Sequence, residues 1–330
     1  MNTLPAVVRS LLLPALLALS FAGCTSRKSG PEGAPLLIGM VAKSQSNPIF
    51  QAAYAGAQDA ARELSPAYGV EIRIDWQTPP DENPQKQAEA IEQLARSGVR
   101  GIAVSCSDAN TVTPAINKAV DLGALVVTFD SDAPQSRRMC FFGTDDVTCG
   151  RMVMRELAAA MDSAGTVAIL AGNQSAPNLQ NRVRGVREEL ANYPRMKLLE
   201  DGIFYHSETP EQAAEAVMRA QTTNSSIQGW AMVGGWALLT KNALRWSPGT
   251  IKVVSVDALP AELPYLESGH VHALLAQDSY QWGYTSVRLI LDKLLKNTQP
   301  AETRIIDPLT RVTKENVQTY YANWEKWLRH

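Results

Sequence analysis

The residues best suited to chemistry stand where short apolar runs end. After the run at 36–42 come Ser44, Gln45, Ser46 and Asn47, with Phe50 close behind. Ser105 lies near the end of GIAVSC and Asp108 follows it, Asp130, Ser131 and Asp132 follow LVVTF, and Thr144, Asp145 and Asp146 follow CFFG. Further on are Asn173, Gln174 and Ser175 leading to Asn181 and Arg182, then Gly234, Gly235 and Trp236, then Asp257, then Gln277 and Asp278. This set is amide, carboxylate and hydroxyl, with one guanidinium and two aromatics. Such groups match a polyhydroxylated ligand. A hydroxyl both donates and accepts, so carboxylates, amides and an arginine fork can divide its hydrogen bonds. An aromatic face covers the C–H side of a ring.

Catalytic patterns do not emerge from the same residues. The chain has no GxSxG elbow and no GxxxxGK[ST] phosphate loop. The pairs Asp130/Asp132 and Asp145/Asp146 lack a matching base or nucleophile motif, so binding without catalysis is expected. The four histidines, His206, His270, His272 and His330, have no partners at useful spacing and are expected to be satisfied or exposed. The four cysteines form no CxxC or Cys/His cluster, so neither a metal nor a cofactor is expected.

The elements that must position these residues read as strand and helix in alternation. Strands are predicted at 36–42, 70–77, 101–106, 125–130 and 140–145, with helices between them and a helix from about 149 to 162. The cycle then restarts with strands at 166–172, within 197–206, at 229–235, 251–257 and 273–278. Helices are predicted at 178–192, 210–223, 236–246 and 280–296, with a last helix near the C-terminus. Strands apolar throughout imply parallel sheets covered on both faces, so the fold class is α/β with two doubly wound lobes. In such sheets ligands sit beyond the carboxyl ends of the strands.

The first residues have a different character. Arg9 precedes an apolar stretch from Leu11 to Ala22, the pattern of a secretory signal peptide over 1–23. Leu-Ser-Phe-Ala-Gly-Cys resembles a bacterial lipobox, which makes Cys24 the expected lipid attachment site. Residues 24–35, rich in Ser, Gly and Pro, are expected to be a tether. Cys106, Cys140 and Cys149 are then an odd number, and buried free thiols are expected. A net charge of −2 argues against nucleic acid as a partner.

Over residues 36–320 the chain resembles the ribose-binding group of type I periplasmic solute-binding proteins, which shares its fold with lac-repressor-type effector domains. The resembling segments are IGMVAKSQSNPIF, GIAVSCSDANTVTPAINKAVDLGALVVTFDSDAP, FFGTDDVTCGRMVM, AILAGNQSAPNLQNRVRGVREEL, VVSVDALP and HALLAQDSYQWGYTSVRLI, in the family's order. The resemblance implies ligand positions at Asn47, Phe50, Ser105, Asp130 and Thr144 on the first lobe. It implies Arg182, Gly234, Asp257 and Gln277 on the second lobe and hinge, and Trp236 is a further candidate. The chain departs from the family pattern at Ile49, Ser131, Gly234-Gly235 and Val256. A three-segment hinge is implied near Thr144-Asp145, Gln277-Asp278 and Ile305-Pro308. The lobes would be 36–144 plus 278–306 and 145–277 plus 307–330. The implied role is that of an extracytoplasmic, lipid-anchored monomer. It would bind a sugar or polyol and deliver it to the permease and ATPase of an ABC importer, or present the closed form to a receptor kinase or chemoreceptor.

Overall fold

The computed structural model describes Met1 and residues 34–327. The expected signal peptide, Cys24, nearly all of the tether and His330 lie outside the described residues.

From residue 36 the chain runs β1 (Leu36–Val41), α1 (Pro48–Tyr68), β2 (Ile72–Trp76), α2 (Pro84–Arg96), β3 (Gly101–Val104), α3 (Ala109–Asp121), β4 (Leu125–Phe129) and β5 (Cys140–Gly143). It continues with α4 (Asp146–Ala160), β6 (Gly165–Gly172), α5 (Pro177–Leu190), β7 (Met196–Tyr205), α6 (Pro210–Thr223) and β8 (Gly229–Met232). Last come β9 (Lys252–Val256), α7 (Leu263–Glu267), β10 (Ala273–Ala276), α8 (Ser279–Lys296), β11 (Arg304–Ile306), β12 (Thr310–Val312) and α9 (Val317–Trp327).

The strands form two six-stranded sheets, ordered β11-β5-β4-β3-β1-β2 and β12-β10-β9-β8-β6-β7. These are the two α/β lobes, and the chain passes between them three times: β5 to α4, β10 to α8, and β11 to β12. Strands β3, β5, β8 and β10 are buried along their whole length, as continuous apolar runs require when helices cover both faces. One strand departs from the parallel pattern. β12 is antiparallel to β10. It enters the second lobe directly from β11, at the end toward which β10 runs, and so must run the other way.

Short polar residues at the strand ends start the helices. Asn47 accepts from Ile49 N ahead of Pro48, Asp108 from Thr111 N, Asp145 from Thr148 N and Asp278 from Gln281 N. The helix expected over 236–246 is a single 3-10 turn, Trp236–Leu239. Thr240 is extended and Asn242 is left-handed (φ 59°), so helical hydrogen bonding stops there. Cys106, Cys140 and Cys149 are buried free thiols.

Each lobe holds one helix pair that meets at glycines. A Cβ at Gly56 of α1 would lie 2.0 Å from Tyr280 O, and one at Gly283 of α8 would lie 1.7 Å from Ala53 O. Between α4 and α5, a Cβ at Gly150 would lie 1.9 Å from Arg182 O, and one at Gly185 2.0 Å from Val147 O. Backbone packs on backbone at all four positions, and no larger residue fits.

Candidate functional site

β4 and β9 end in the same way. Asp130 and Asp257 both follow the last strand residue with positive φ, 56° and 74°. Asp is among the few non-glycine residues that tolerate this region. Asp130 Oδ2 accepts from Ser105 Oγ at 2.7 Å, and Oδ1 accepts from Asn178 Nδ2 at 3.4 Å. Asp257 Oδ1 accepts from Gln277 Nε2 at 2.8 Å. Burial pushes the Asp257 carboxyl up, opposed by the charge of Arg182 and the hydrogen bond from Gln277.

Arg182 ties the second lobe to the hinge. It is 2% exposed, so its guanidinium must find acceptors inside the protein. Nε donates to Asp146 Oδ1 at 3.0 Å, Nη1 to Val233 O at 3.1 Å and Nη2 to Gln277 Oε1 at 2.8 Å. Thr144 Oγ1 donates to the same Gln277 oxygen at 2.9 Å. The glycine contact of α4 with α5 explains the geometry. It holds the two helices at backbone distance, which sets Arg182 beside Asp146 one turn from the crossing.

These groups meet in one small cavity. Asn47, Phe50, Asp130, Arg182, Trp236, Asp257 and Gln277 all line a space of about 30 Å³ between the lobes. The space is narrow because side chains of the two lobes meet across it, so this is a closed arrangement. Hydrogen bonds cross the cleft: Asn178 to Asp130, Thr144 to Gln277, and Lys43 Nζ to Asn178 Oδ1 at 3.4 Å. A cavity of about 570 Å³ also opens between β1 and the ends of β6 and β7, bounded by Lys43, Asn47, Glu82, Asn173, His206 and Glu208 among others.

Three sequence candidates stand behind the lining. Ser105 is fully buried against Asp130, and Thr144 is buried against Gln277. Gly234 lies under Trp236, whose ring atoms come within 2.3 Å of where a Cβ would be. The ring of Trp236 meets His206 edge-on, with centroids 5.3 Å apart.

Other residues in the site escaped the sequence reading. Asn178 lies four residues before Arg182 on the same helix face, and that spacing was legible. Trp282 packs against Phe50, with ring centroids 6.3 Å apart. Lys43 is 3% exposed, with Nζ 3.9 Å from Glu208 Oε1. Burial pushes the Glu208 carboxyl up to about 7, against the charge of Lys43. His206 corrects one expectation. Its Nδ1 lies 2.6 Å from Ser207 O, yet Nε2 is buried without a hydrogen-bond partner among the described residues, where the ring packs on Trp236.

The comparisons with known proteins agree with this fold. The family model described as periplasmic binding protein domain matches residues 38–298. The D-ribose/D-allose-binding protein of Pseudomonas aeruginosa is 25% identical over 277 residues, covering 80% of this chain and 83% of its own. The D-allose-binding periplasmic protein of Escherichia coli is 25% identical over 300 residues, covering 82% and 90%. Among solved structures, an ABC transporter solute-binding protein of Burkholderia graminis in complex with D-arabinose superposes with a TM-score of 0.79. It is 24% identical and covers 86% of this chain and 97% of its own. With two α/β lobes, strand ends facing a shared cleft and a family match across most of its length, the chain belongs to the periplasmic binding protein domain family.

Proposed function

We propose that this protein is an exported substrate-binding protein that closes its two lobes on a sugar or sugar-like polyol. The observation that carries the reading is the pairing of Asp130 and Asp257, two carboxylates at equivalent strand ends, with Arg182, Asn47 and Gln277 in one closed cleft. In this reading Asp130 and Asp257 accept from ligand hydroxyls, Arg182 donates, and Asn47 and Gln277 do both. Phe50 and Trp236 cover the apolar side of the ring. Ser105 and Thr144 orient Asp130 and Gln277, and Gly234 lets the Trp236 ring approach. The names of the relatives, which specify ribose, allose and arabinose, support the ligand class.

The lobes are residues 36–144 plus 278–306 and 145–277 plus 307–330, and they turn about the three crossings. The closed form is presented by a monomer, tethered through a lipid on Cys24, to the permease of an ABC importer. Binding occurs without turnover of the ligand.

A thermal-shift screen of the purified chain against pentoses, hexoses and cyclitols tests the reading. A ligand that binds the folded state raises the melting temperature by mass action. At least one polyol is expected to do so in a concentration-dependent way. No shift across the whole panel overturns the polyol assignment.

A further inference from the structure

The cavity of about 570 Å³ differs in chemistry from the space between the two aspartates. On its wall His206 Nε2 and Glu208 Oε1 are buried without a hydrogen-bond partner among the described residues, and Glu82 Oε1 stands beside them on a carboxyl group that Ser107 and Asn173 hold. All three are acceptors. An ionised carboxylate only accepts, and although burial pushes both carboxyls up, the charge of Lys43 favours the ionised form of Glu208 and of Glu82. The Nδ1 of His206 faces the carbonyl of Ser207 and must carry the ring proton, which leaves the lone pair on Nε2. The Glu208 side chain is 9% exposed, and its Oε1 lies 3.9 Å from Lys43 Nζ, beyond hydrogen-bond reach.

Charge points the same way. Lys43 is the cation that Glu208, Asp130 and Glu82 share, three carboxylates to one ammonium. Arg182 does not line this cavity, and its charge is matched by Asp146. A neutral sugar would leave this excess in place. A sugar acid would bring a further carboxylate to it. An alkylammonium group does the opposite: it has three donors, no acceptor and a positive charge. Unpartnered buried acceptors are costly, so a ligand that satisfies them gains specifically over one that does not.

We infer that the ligand carries a protonated amine on a polyhydroxylated ring, and that Glu208, Glu82 and His206 receive this amine on the wall of the cleft. The inference rests on the polyol reading above and narrows its substrate class.

The test is titration calorimetry of the full chain with positional series of amino sugars and aminocyclitols, each beside its neutral parent and its N-acetyl derivative. The expected result is a ligand whose amine form binds about tenfold or more tighter than its parent, with N-acetylation removing the preference. In E208Q, and separately in E82Q, the ratio of amine to parent affinity is expected to fall several-fold. Circular dichroism verifies that each variant is folded. Parents that bind as tightly as their amines, or sugar acids that bind better than both, overturn the inference and leave the polyol reading standing. If no polyol binds, charged or neutral, both fail.

Discussion

Asp130 and Asp257 hold the same left-handed backbone conformation, one at the end of β4 and the other at the end of β9. The two lobes therefore offer their carboxylates from equivalent places, facing each other across the cleft. Side-chain chemistry and backbone conformation can be separated at these positions. Asn tolerates positive φ and keeps the shape, but loses the ionised acceptor. Ala loses both. Asp130→Asn and Asp257→Asn are expected to weaken ligand binding by about 1.5–3 kcal/mol. The Ala variants should weaken it at least as much and also lose about 1 kcal/mol of stability through backbone strain. Calorimetry and urea denaturation of the four variants check this.

Arg182 is expected to be the most costly cleft residue to remove. Its loss leaves Asp146 buried without a counter-charge, and Gln277 loses one of two donors. Arg182→Ala should destabilise the protein by about 3 kcal/mol or more. Arg182→Lys should recover little, since an ammonium cannot reach three acceptors held at a guanidinium's spacing. Asp146→Ala in the Arg182→Ala background should cost less than the sum of the single changes. Additive losses in that cycle would show that the pair is not coupled.

Gly150 makes a prediction about packing that reaches the site. A methyl group there would sit 1.9 Å from Arg182 O, so α4 and α5 must part. Gly150→Ala is expected to cost about 1–3 kcal/mol. It should also weaken ligand binding, although Gly150 does not line the cleft, because Arg182 moves with its helix. Unchanged affinity with lowered stability would break that link.

Glu262 supplies a pH dependence. It is fully buried beneath Gly235, and burial together with the charge of Asp257 raises its carboxyl well above the usual range, opposed only by a backbone hydrogen bond at Leu259. The folded protein keeps this proton after the unfolded chain has lost its own. Stability from this group is therefore full below the unfolded value and declines as pH rises toward the folded one, by at most about 1.4 kcal/mol per pH unit. Glu262→Gln removes the titration. The melting-temperature difference between variant and parent should grow from pH 4 to pH 8 in favour of the variant. A constant difference would place Glu262 in contact with water.

The strand ends were legible because an apolar run followed by Asp, Asn or Gln needs no long-range information. Asp130, Asp257 and Gln277 could be read for that reason, and Arg182 through the resemblance. Lys43 and Glu208 follow strands too, but a lysine or glutamate there is ordinarily solvated. Only closure of the cleft buries them, and closure is not written in local periodicity. The depth of Ser105, Thr144 and Gly234 was hidden for a similar reason. Position along a strand tells which end of a sheet a residue occupies, not whether another side chain stands in front of it. The overextended helix after Trp236 shows the limit of apolar spacing over a short segment, where one left-handed Asn242 ends the pattern.

The glycine crossings also imply a sequence of assembly. In the second lobe, α4 and α5 are near neighbours in the chain, and their crossing can form as soon as residue 190 has been made. In the first lobe, α1 must wait for α8: Tyr280 donates to Asp59 across a separation of 221 residues. Until that helix arrives, the face of α1 around Gly56 has no backbone to meet. The interior segment of the polypeptide is thus free to mature early, and the part that begins first is completed late, when the chain returns to it.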